Sequence, residues 1–263
     1  MSSSESTIDV RAVQARPILG NIEHNLDLIT KSLSKATTDD IDLVVYPELF
    51  LTGYHIGELD IGKLAKKIDD ACSRIADCTA DLTAVIGTPV FEDEQLFNSA
   101  VVFDSGSIVG TYHKTHLYGD EPSVFQAGST FQSFETSAGN LGVQICYDLE
   151  FPEVSRQLSL RDAQVLVTLS ANMRPFAHDQ TVYSAARALE NIRPHVVSNR
   201  IGEERGVEFF GGSRILDERG RPVVTAGKDV IAEISGSINL QAKGVDTLQY
   251  LQDRRPGIYD RRD

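Results

Sequence analysis

Short apolar runs rich in Val and Ile, separated by amphipathic stretches, constrain this chain more than any other feature of its sequence. A run of about four to eight apolar residues fits a buried strand, whereas apolar residues recurring every three or four positions fit a helix. Alternation of the two is typical of layered α/β proteins. The predicted strands are Ile8–Ala15, Leu43–Tyr46, Thr83–Gly87, Ala100–Phe103, Ile108–Tyr112, Leu141–Ile145, Val165–Leu169, His195–Ser198, Ser213–Leu216 and Val230–Ile234.

Helical spacing and turn residues complete this outline. The predicted helices are Asn21–Lys35, Ile61–Cys78, Phe151–Arg161 and Thr181–Asn191. Turn residues at 104–106 and 217–220 predict two hairpins, so antiparallel pairs should accompany the parallel crossovers. Neither a linker nor a long repeat divides the chain, and we expect a single domain over residues 8–263 after a disordered tail at residues 1–7.

The charge of the chain disfavours several classes of partner. A net charge of −13 opposes binding to nucleic acid or to anionic membranes, because both need clustered Lys and Arg. No apolar run approaches the length of about 18 residues that spans a bilayer, and the first residues resemble no secretion signal. We therefore expect a cytoplasmic protein with no nucleic-acid or membrane partner.

The cysteines and histidines give no sign of a metal site. Cys72, Cys78 and Cys146 form no Cys-x-x-Cys pair, and the six histidines show no spacing typical of metal ligands. No glycine-rich phosphate loop stands out either. The sequence therefore predicts neither a metal nor another cofactor, and leaves the odd cysteine to be explained.

Three reactive side chains each follow a predicted strand within two residues. They are Glu48, Lys114 and Cys146. Ligand sites of open α/β sheets lie beyond the carboxyl ends of the strands, so a carboxylate, an ammonium and a thiol should meet at one sheet edge. A helix beginning near Pro152 would place Cys146 at a strand-to-helix elbow, where a side chain is exposed.

This set is sufficient for acyl transfer. A free thiol with a pKa of about 8.5 is mostly protonated at neutral pH, but a neighbouring ammonium favours the thiolate and a carboxylate can accept its proton. Cys146 would be the nucleophile and Glu48 the general base. Lys114 would stabilise the oxyanion and help to protonate departing ammonia, and the backbone N–H of Tyr147 would be a second oxyanion donor.

Each residue taken singly also has a structural interpretation. A cysteine that ends a strand is more often a small core residue, a glutamate after proline is usually solvated, and a lysine in a hairpin is usually a surface charge. Only the three segments together favour catalysis over these alternatives.

Together the segments resemble the carbon–nitrogen hydrolase family, also called the nitrilase superfamily. Pro47–Tyr54 is similar to the family's glutamate motif, Tyr112–Leu117 to its lysine motif and Cys146–Glu153 to its cysteine motif. Flanking stretches that agree are Asn98–Ala100, Ser170–Met173, Arg187–Asn191 and Phe210–Ser213. The resemblance implies a four-layer α-β-β-α sandwich with mixed sheets. It also implies that Glu48, Lys114 and Cys146 are a catalytic triad.

The resemblance carries two further implications. Many family members have a second glutamate before a Phe-x-x-Gly segment, found here at Phe125–Gly128. Glu121 occupies that position, but the preceding segment is short and Asp120 is an alternative. Family members commonly form dimers and larger assemblies, so we expect a homodimer or a higher homo-oligomer.

The cysteine motif also resembles one branch of the family. Cys-Tyr-Asp followed by Phe-Pro-Glu is similar to amidases, whereas Cys-Trp-Glu is typical of nitrilases. This implies hydrolysis of a small linear aliphatic amide to carboxylate and ammonia through a cysteine thioester. The alternatives are a nitrilase, a hydrolase of N-carbamoyl amino acids or amines, and an inactive family fold that acts as an interaction module.

Further segments resemble amidases that act on ω-amino acid amides such as 5-aminopentanamide. These segments are Thr52–Gly57, Lys114–Gly119 and Ala171–Phe176. The predicted substrate-binding residues are Tyr54, Asn172, Met173 and Phe176, with Phe50 and Phe125 as further lining. Acids available for a substrate amine are Asp148, Glu150, Glu203 and Glu208. We expect His116 to pack or hydrogen-bond behind Lys114.

Overall fold

The computed structural model describes residues 7–241 and 249–259 of the chain. The strands are Thr7–Gln14 (β1), Leu43–Val45 (β2), Thr83–Glu92 (β3), Gln95–Asp104 (β4), Ser107–His113 (β5), Ser133–Thr136 (β6), Gly139–Ile145 (β7), Val165–Ser170 (β8), His195–Asn199 (β9), Ile201–Glu204 (β10), Val207–Phe210 (β11), Arg214–Leu216 (β12), Pro222–Thr225 (β13) and Ala232–Asn239 (β14). The α-helices are Ile22–Thr38 (α1), Ile61–Asp77 (α2), Pro152–Ser159 (α3), Ala177–Asn191 (α4) and Pro256–Tyr259 (α5).

Two mixed sheets of six strands form the centre of the fold. The first has the order β14-β1-β2-β3-β4-β5 and the second the order β13-β12-β9-β8-β7-β6. Each contains three adjacent parallel strands, β1-β2-β3 in the first and β7-β8-β9 in the second, flanked by antiparallel strands. A separate two-stranded ribbon, β10-β11, lies outside both sheets.

Alternating side chains place each sheet between two cores. In β4, Ala100 and Val102 join the core between the two sheets, whereas Val101 and Phe103 join the core under α1 and α2. Leu166 of β8 likewise turns away from its neighbours to pack with α3. Successive side chains of a strand point to opposite faces, so apolar residues at every position indicate a sheet covered on both sides. The predicted α-β-β-α sandwich with mixed sheets is confirmed.

The predicted elements overlap the observed ones, with differences at their ends and in five short elements. Strands β6, β10, β11 and β13 and helix α5, each four residues long, were not predicted. The last strand was predicted to begin at Val230, but β14 begins at Ala232 and leaves Ile231 exposed. These strands are specified by their partners rather than by apolar periodicity.

Several predictions concern regions that the structure leaves undescribed or untested. Thr7 begins β1, and the rest of the predicted disordered tail lies outside the described residues. A single domain over residues 8–263 stays a prediction. Among the described residues, no helix is both long and apolar enough to cross a membrane.

Candidate active site

The three predicted reactive residues lie where strands of both sheets end. Glu48 and Lys114 follow β2 and β5 of the first sheet, whereas Cys146 follows β7 of the second. The Ala171 amide, directly after β8 of the second sheet, donates to Glu48 Oε2 at 2.9 Å across the gap. The expectation of one sheet edge is therefore wrong, because membership of a strand in one sheet or the other is not written in its sequence.

Glu48 is fully buried and held by three donors. Its Oε1 accepts hydrogen bonds from Asn98 Nδ2 and from Lys114 Nζ, both at 2.7 Å, and its Oε2 accepts the one from Ala171. Burial raises the pKa of this carboxyl above its usual value, against the lowering effect of Lys114. No role of Asn98 was predicted from the sequence, and its side-chain amide is therefore an unpredicted part of the site.

Close backbone packing fixes the loop that carries Glu48. β3 passes directly behind this loop at Gly87, where a Cβ atom would lie 2.3 Å from the Pro47 oxygen and 2.5 Å from the Leu49 nitrogen. Only glycine permits that approach. The glutamate is therefore positioned by backbone contact as well as by its side-chain bonds.

Lys114 lies fully buried between two carboxylates. Its Nζ donates to Glu48 Oε1 at 2.7 Å and to Glu121 Oε1 at 2.8 Å. Burial alone would lower the pKa of this ammonium, but the two carboxylates reverse the effect and raise it above its usual value. Lys114 is therefore held as a cation between the two carboxylates.

Glu121, and not Asp120, meets the lysine. Glu121 is buried at the start of a 3₁₀ turn and also accepts hydrogen bonds from the Tyr54 hydroxyl at 2.8 Å and from the Tyr118 backbone N–H at 2.9 Å. Asp120 is the exposed residue before that turn. The single turn of 3₁₀ helix decides which of two neighbouring acids points inward.

Cys146 occupies a strained elbow. It is the first residue of a 3₁₀ turn, Cys146–Glu150, and has a φ of 43°, which is rarely adopted by residues other than glycine. Its Sγ accepts a hydrogen bond from Ser170 Oγ at 3.5 Å, and Ser170 in turn accepts one from Gln180 Nε2 at 3.0 Å. Tyr147 follows in the same turn, with its ring against Tyr118.

The surroundings of Cys146 oppose ionisation of its thiol. Burial raises the pKa of this thiol well above its usual value, the charge of Glu48 raises it further, and Lys114 offsets only part of the increase. Lys114 thus favours the thiolate, as expected from the sequence, but burial and Glu48 outweigh its effect. Glu48 is needed as the proton acceptor when the sulfur attacks.

Asp148 joins the cysteine elbow to the segment after Lys114. Its Oδ2 accepts from the Tyr112 hydroxyl at 2.9 Å and the Ile145 N–H at 3.1 Å. Its Oδ1 accepts from the Thr115 hydroxyl at 2.8 Å and the His116 N–H at 2.9 Å. His116 Nδ1 also lies 2.9 Å from Oδ1. With these five contacts and no exposed surface, this carboxylate is unavailable to a substrate amine, contrary to the sequence-based expectation.

Glu48, Lys114 and Glu121 form a charged cluster. A cleft of about 480 Å³ borders this cluster. Its lining residues are Tyr54, His55, Ile56, Gly57, Tyr118, Gly119, Asp120, Glu121, Ser123, Val124, Phe125, Met173, Arg205 and Val207. Tyr54 and Glu121 belong both to this lining and to the hydrogen-bonded cluster around Lys114. A small molecule in the cleft would therefore reach the charged cluster along the Tyr54 side.

Only some of the predicted lining residues face this cleft. Tyr54, Phe125 and Met173 do, whereas Phe50 is fully buried against Tyr46 in the core. Asn172 accepts from the Met173 N–H and bonds Asn199, and Phe176 precedes α4; neither lines the cleft.

Two further expectations about individual residues are corrected. Glu150, Glu203 and Glu208 lie outside the cleft lining, and Glu208 pairs with Arg174 at 3.2 Å. His116 stacks on Phe151 and contacts Asp148, so its contacts are with the cysteine elbow rather than with Lys114. Arg205 and Val207 of the cleft lining were not predicted, because the β10-β11 ribbon was not.

Within residues 7–241 and 249–259, no group of three or more His, Cys, Asp and Glu side chains is arranged to hold a metal ion. The donors around the cluster are ammonium, amide and hydroxyl groups, which suit an oxyanion rather than a cation.

Comparison with known proteins identifies the family. The model of the carbon-nitrogen hydrolase family matches residues 9–242. A hydrolase from the pqqF 5' region of Pseudomonas protegens is 37% identical over 98% of this chain and 93% of its own length. An (R)-stereoselective amidase from Pseudomonas sp. is 31% identical over 90% and 87%. A nitrilase from Pyrococcus abyssi is 31% identical over 97% and 100%.

Solved structures agree. An amidase from Nesterenkonia sp. is 28% identical and superimposes with a TM-score of 0.86 over 95% of this chain and 94% of its own. A variant of that amidase carries the acetamide moiety of fluoroacetamide on its active-site cysteine.

The layered fold and the buried Glu48 and Lys114 beside the half-buried Cys146 together define a hydrolase of carbon–nitrogen bonds. The chain belongs to the carbon–nitrogen hydrolase family. It is an enzyme, and its relatives include both amidases and nitrilases.

Proposed function

We propose that this protein hydrolyses a small linear aliphatic amide to a carboxylate and ammonia through a thioester on Cys146. The observation that carries the proposal is the shared position of a thiol, a base and a fixed cation. Ser170 donates to the Cys146 sulfur, the amide of the next residue, Ala171, donates to Glu48 Oε2, and Lys114 bonds the other oxygen of the same glutamate.

In the first half-reaction, the Cys146 sulfur attacks the amide carbon while its proton passes to Glu48. Negative charge then moves to the carbonyl oxygen, where Lys114 Nζ and the Tyr147 N–H stabilise it. As the C–N bond breaks, the nitrogen takes the proton from Glu48 and leaves as ammonia. The raised pKa of Glu48 favours this temporary storage of a proton.

In the second half-reaction, water attacks the thioester carbon and gives a proton to Glu48. The same two donors hold the second oxyanion. The C–S bond then breaks, the sulfur recovers the proton from Glu48, and the product leaves as a carboxylic acid that loses its remaining proton to water. The permanent charge of Lys114 serves both steps without gaining or losing a proton.

The test is ammonia release from propionamide, butyramide and pentanamide, with the matching nitriles and N-carbamoyl compounds in parallel. Cys146→Ala is compared with Cys78→Ala, which removes a partly exposed thiol outside the site. Release from amides that is lost only in Cys146→Ala supports the proposal. Preferred turnover of nitriles or carbamoyl compounds moves the protein to another branch, and turnover that survives Cys146→Ala rules out this nucleophile.

Asp120 supports a second, finer candidate, in which the amide carries a distal amine. The four acids named from the sequence lie outside the cleft lining, but Asp120 lies within it and is exposed. If this acid binds an ammonium group, Asp120→Asn should raise KM for 5-aminopentanamide about tenfold and leave pentanamide unchanged. Equal effects on both substrates, or a preference of the unaltered enzyme for pentanamide, would contradict the proposal that the substrate carries an amine.

We also propose that the protein forms a homo-oligomer in the cytoplasm. Val182 and Leu189, seven residues apart on α4, expose 48% and 43% of their surface on one helix face. Apolar side chains aligned in this way favour burial in an interface. Light scattering coupled to size exclusion would report the mass, and a monomer at micromolar concentration would contradict the expectation.

A further inference from the structure

A buried carboxylate outside the catalytic cluster connects the β10-β11 ribbon to the loop that carries Tyr54. Glu204 ends β10, is 8% exposed, and directly precedes the turn at Arg205. Arg205 and Val207 of this ribbon form part of the cleft wall. Whatever fixes the ribbon therefore also shapes the substrate side of the site.

One oxygen of Glu204 contacts three nitrogen atoms of two consecutive residues of the Tyr54 loop. Its Oε1 lies 3.0 Å from the Tyr54 backbone nitrogen, 2.7 Å from the His55 backbone nitrogen and 2.9 Å from His55 Nδ1. Gly53 precedes this pair with a φ of 84°, and a Cβ atom there would lie 2.7 Å from Leu19 Cα. The loop has little freedom to find another acceptor.

The second oxygen of Glu204 pairs with a buried cation. Arg200 is fully buried, and its Nη2 donates to Glu204 Oε2 at 2.9 Å. Within the described part of the chain, its Nε and Nη1 have no hydrogen-bond partner, and the guanidinium lies 4.2 Å above the Phe209 ring. Removing Glu204 alone would leave this buried charge uncompensated, which is strongly destabilising.

Glu204, the Tyr54 loop and Arg200 form a clamp. Contacts continue from this clamp to the reactive groups. Tyr54 packs its ring on Phe209 at 5.7 Å and donates its hydroxyl to Glu121 Oε1, which also accepts from Lys114. The backbone of Tyr54 is thus fixed by Glu204, its ring by Phe209, and its hydroxyl reaches the carboxylate beside the catalytic cation.

We propose that Glu204 is a positioning residue that acts through Tyr54 to hold Glu121 against Lys114. The inference rests on the proposed function and adds a residue from the cleft wall to it. This role gives a reason for the buried Arg200–Glu204 ion pair, at a position where apolar side chains could also pack. Movement of the ribbon would thereby alter catalysis as well as the shape of the cleft.

The test separates the clamp from the buried charge. Two double variants both lack the ion pair: R200M/E204Q retains an acceptor oxygen for the Tyr54 loop, whereas R200M/E204M does not. Removing both partners avoids an unpaired buried charge, and the Tm of each double variant shows that it is folded before kcat values are compared. Each is measured with Tyr54 and with Tyr54→Phe, and Glu203→Gln on the exposed face of the same strand is the control.

We expect kcat for amide hydrolysis to be about tenfold lower in R200M/E204M than in R200M/E204Q when Tyr54 is present. With Tyr54→Phe the two should agree within about twofold, because the hydroxyl through which the clamp acts is gone. Equal kcat values with Tyr54, or an undiminished difference with Phe, would overturn the proposal. A purely structural role predicts additive losses.

A second measurement does not depend on amide turnover. Alkylation of Cys146 by iodoacetamide, followed by mass spectrometry of its peptide, should show the same dependence on Tyr54. If alkylation is coupled while no amide is hydrolysed, the proposed function fails and the positioning inference stands. If amides are hydrolysed but neither readout is coupled, only the positioning inference fails.

Discussion

Asp148 gives the sharpest test of how the site is held together. In Asp148→Asn, one carboxylate oxygen becomes an NH₂ group. The Tyr112 and Thr115 hydroxyls can rotate to accept from it, but the backbone N–H groups of Ile145 and His116 cannot. Whichever way the amide turns, one buried N–H therefore faces another donor.

The cost follows from that count. Losing one hydrogen bond to a charged group costs about 1.5–3 kcal/mol, and leaving its donor buried without a partner adds about 1–3 kcal/mol. We therefore expect the free energy of unfolding to fall by about 4 kcal/mol, and Tm to fall by about 10 °C for a chain of this size. Displacement of the Cys146 elbow should also lower kcat at temperatures where the variant is folded, by up to about 100-fold.

Urea unfolding followed by circular dichroism measures the first effect, and ammonia release the second. Asp27→Asn is the matched control, because Asp27 forms an exposed pair with Lys31 at 2.7 Å that should contribute less than about 0.5 kcal/mol. A loss below about 1 kcal/mol in Asp148→Asn, or unchanged kcat, would refute the reasoning.

Three further outcomes follow from the same contacts. Lys114→Gln should lower kcat by about 100-fold or more, measured as ammonia release, because the fixed cation at the oxyanion is removed; a loss below about tenfold would contradict this. Tyr54→Phe, which removes one of the donors to Glu121, should lower kcat about tenfold with little change in Tm, and an unchanged kcat would contradict it. Burial lowers the pKa of His195 to about 4 from 6.5, so the unfolded chain binds the extra proton and stability should fall by up to about 3 kcal/mol as the pH drops from 6.5 towards 4. Urea titrations at pH 7 and 5 should show a smaller difference in His195→Gln than in the exposed control His24→Gln; equal differences would contradict this.

The fold could be predicted from the sequence because its buried strands are nearly uniform in character. Val165–Ser170 and Leu43–Val45 are apolar at most positions, since both faces of each sheet are covered. The β10-β11 ribbon lacks this signal, because Glu203, Glu204 and Glu208 interrupt it and its second partner is the Tyr54 loop. The contribution of this ribbon to the cleft wall therefore could not be predicted either.

The reactive residues could also be recognised from the sequence, but their surroundings could not. Motif similarity indicated Glu48, Lys114 and Cys146, whereas the direction of Phe50 and the choice between Asp120 and Glu121 depend on local turns. Phe50 and Tyr54 lie four residues apart in the same motif. The Phe50 ring nevertheless enters the core, whereas the Tyr54 hydroxyl bonds Glu121. A sequence motif fixes the order of residues but not the side on which each one lies.

The charges around Cys146 disfavour its thiolate form before the attack on substrate. Glu48 and Glu121 surround a single ammonium, so a thiolate at Cys146 would add a further negative charge to a buried group that already has more carboxylates than cations. Transfer of the thiol proton to Glu48 during attack removes one negative charge as the oxyanion creates another, and the total within the site stays constant. A catalytic site buried from water gains by this exchange, because charge is redistributed next to Lys114 rather than introduced.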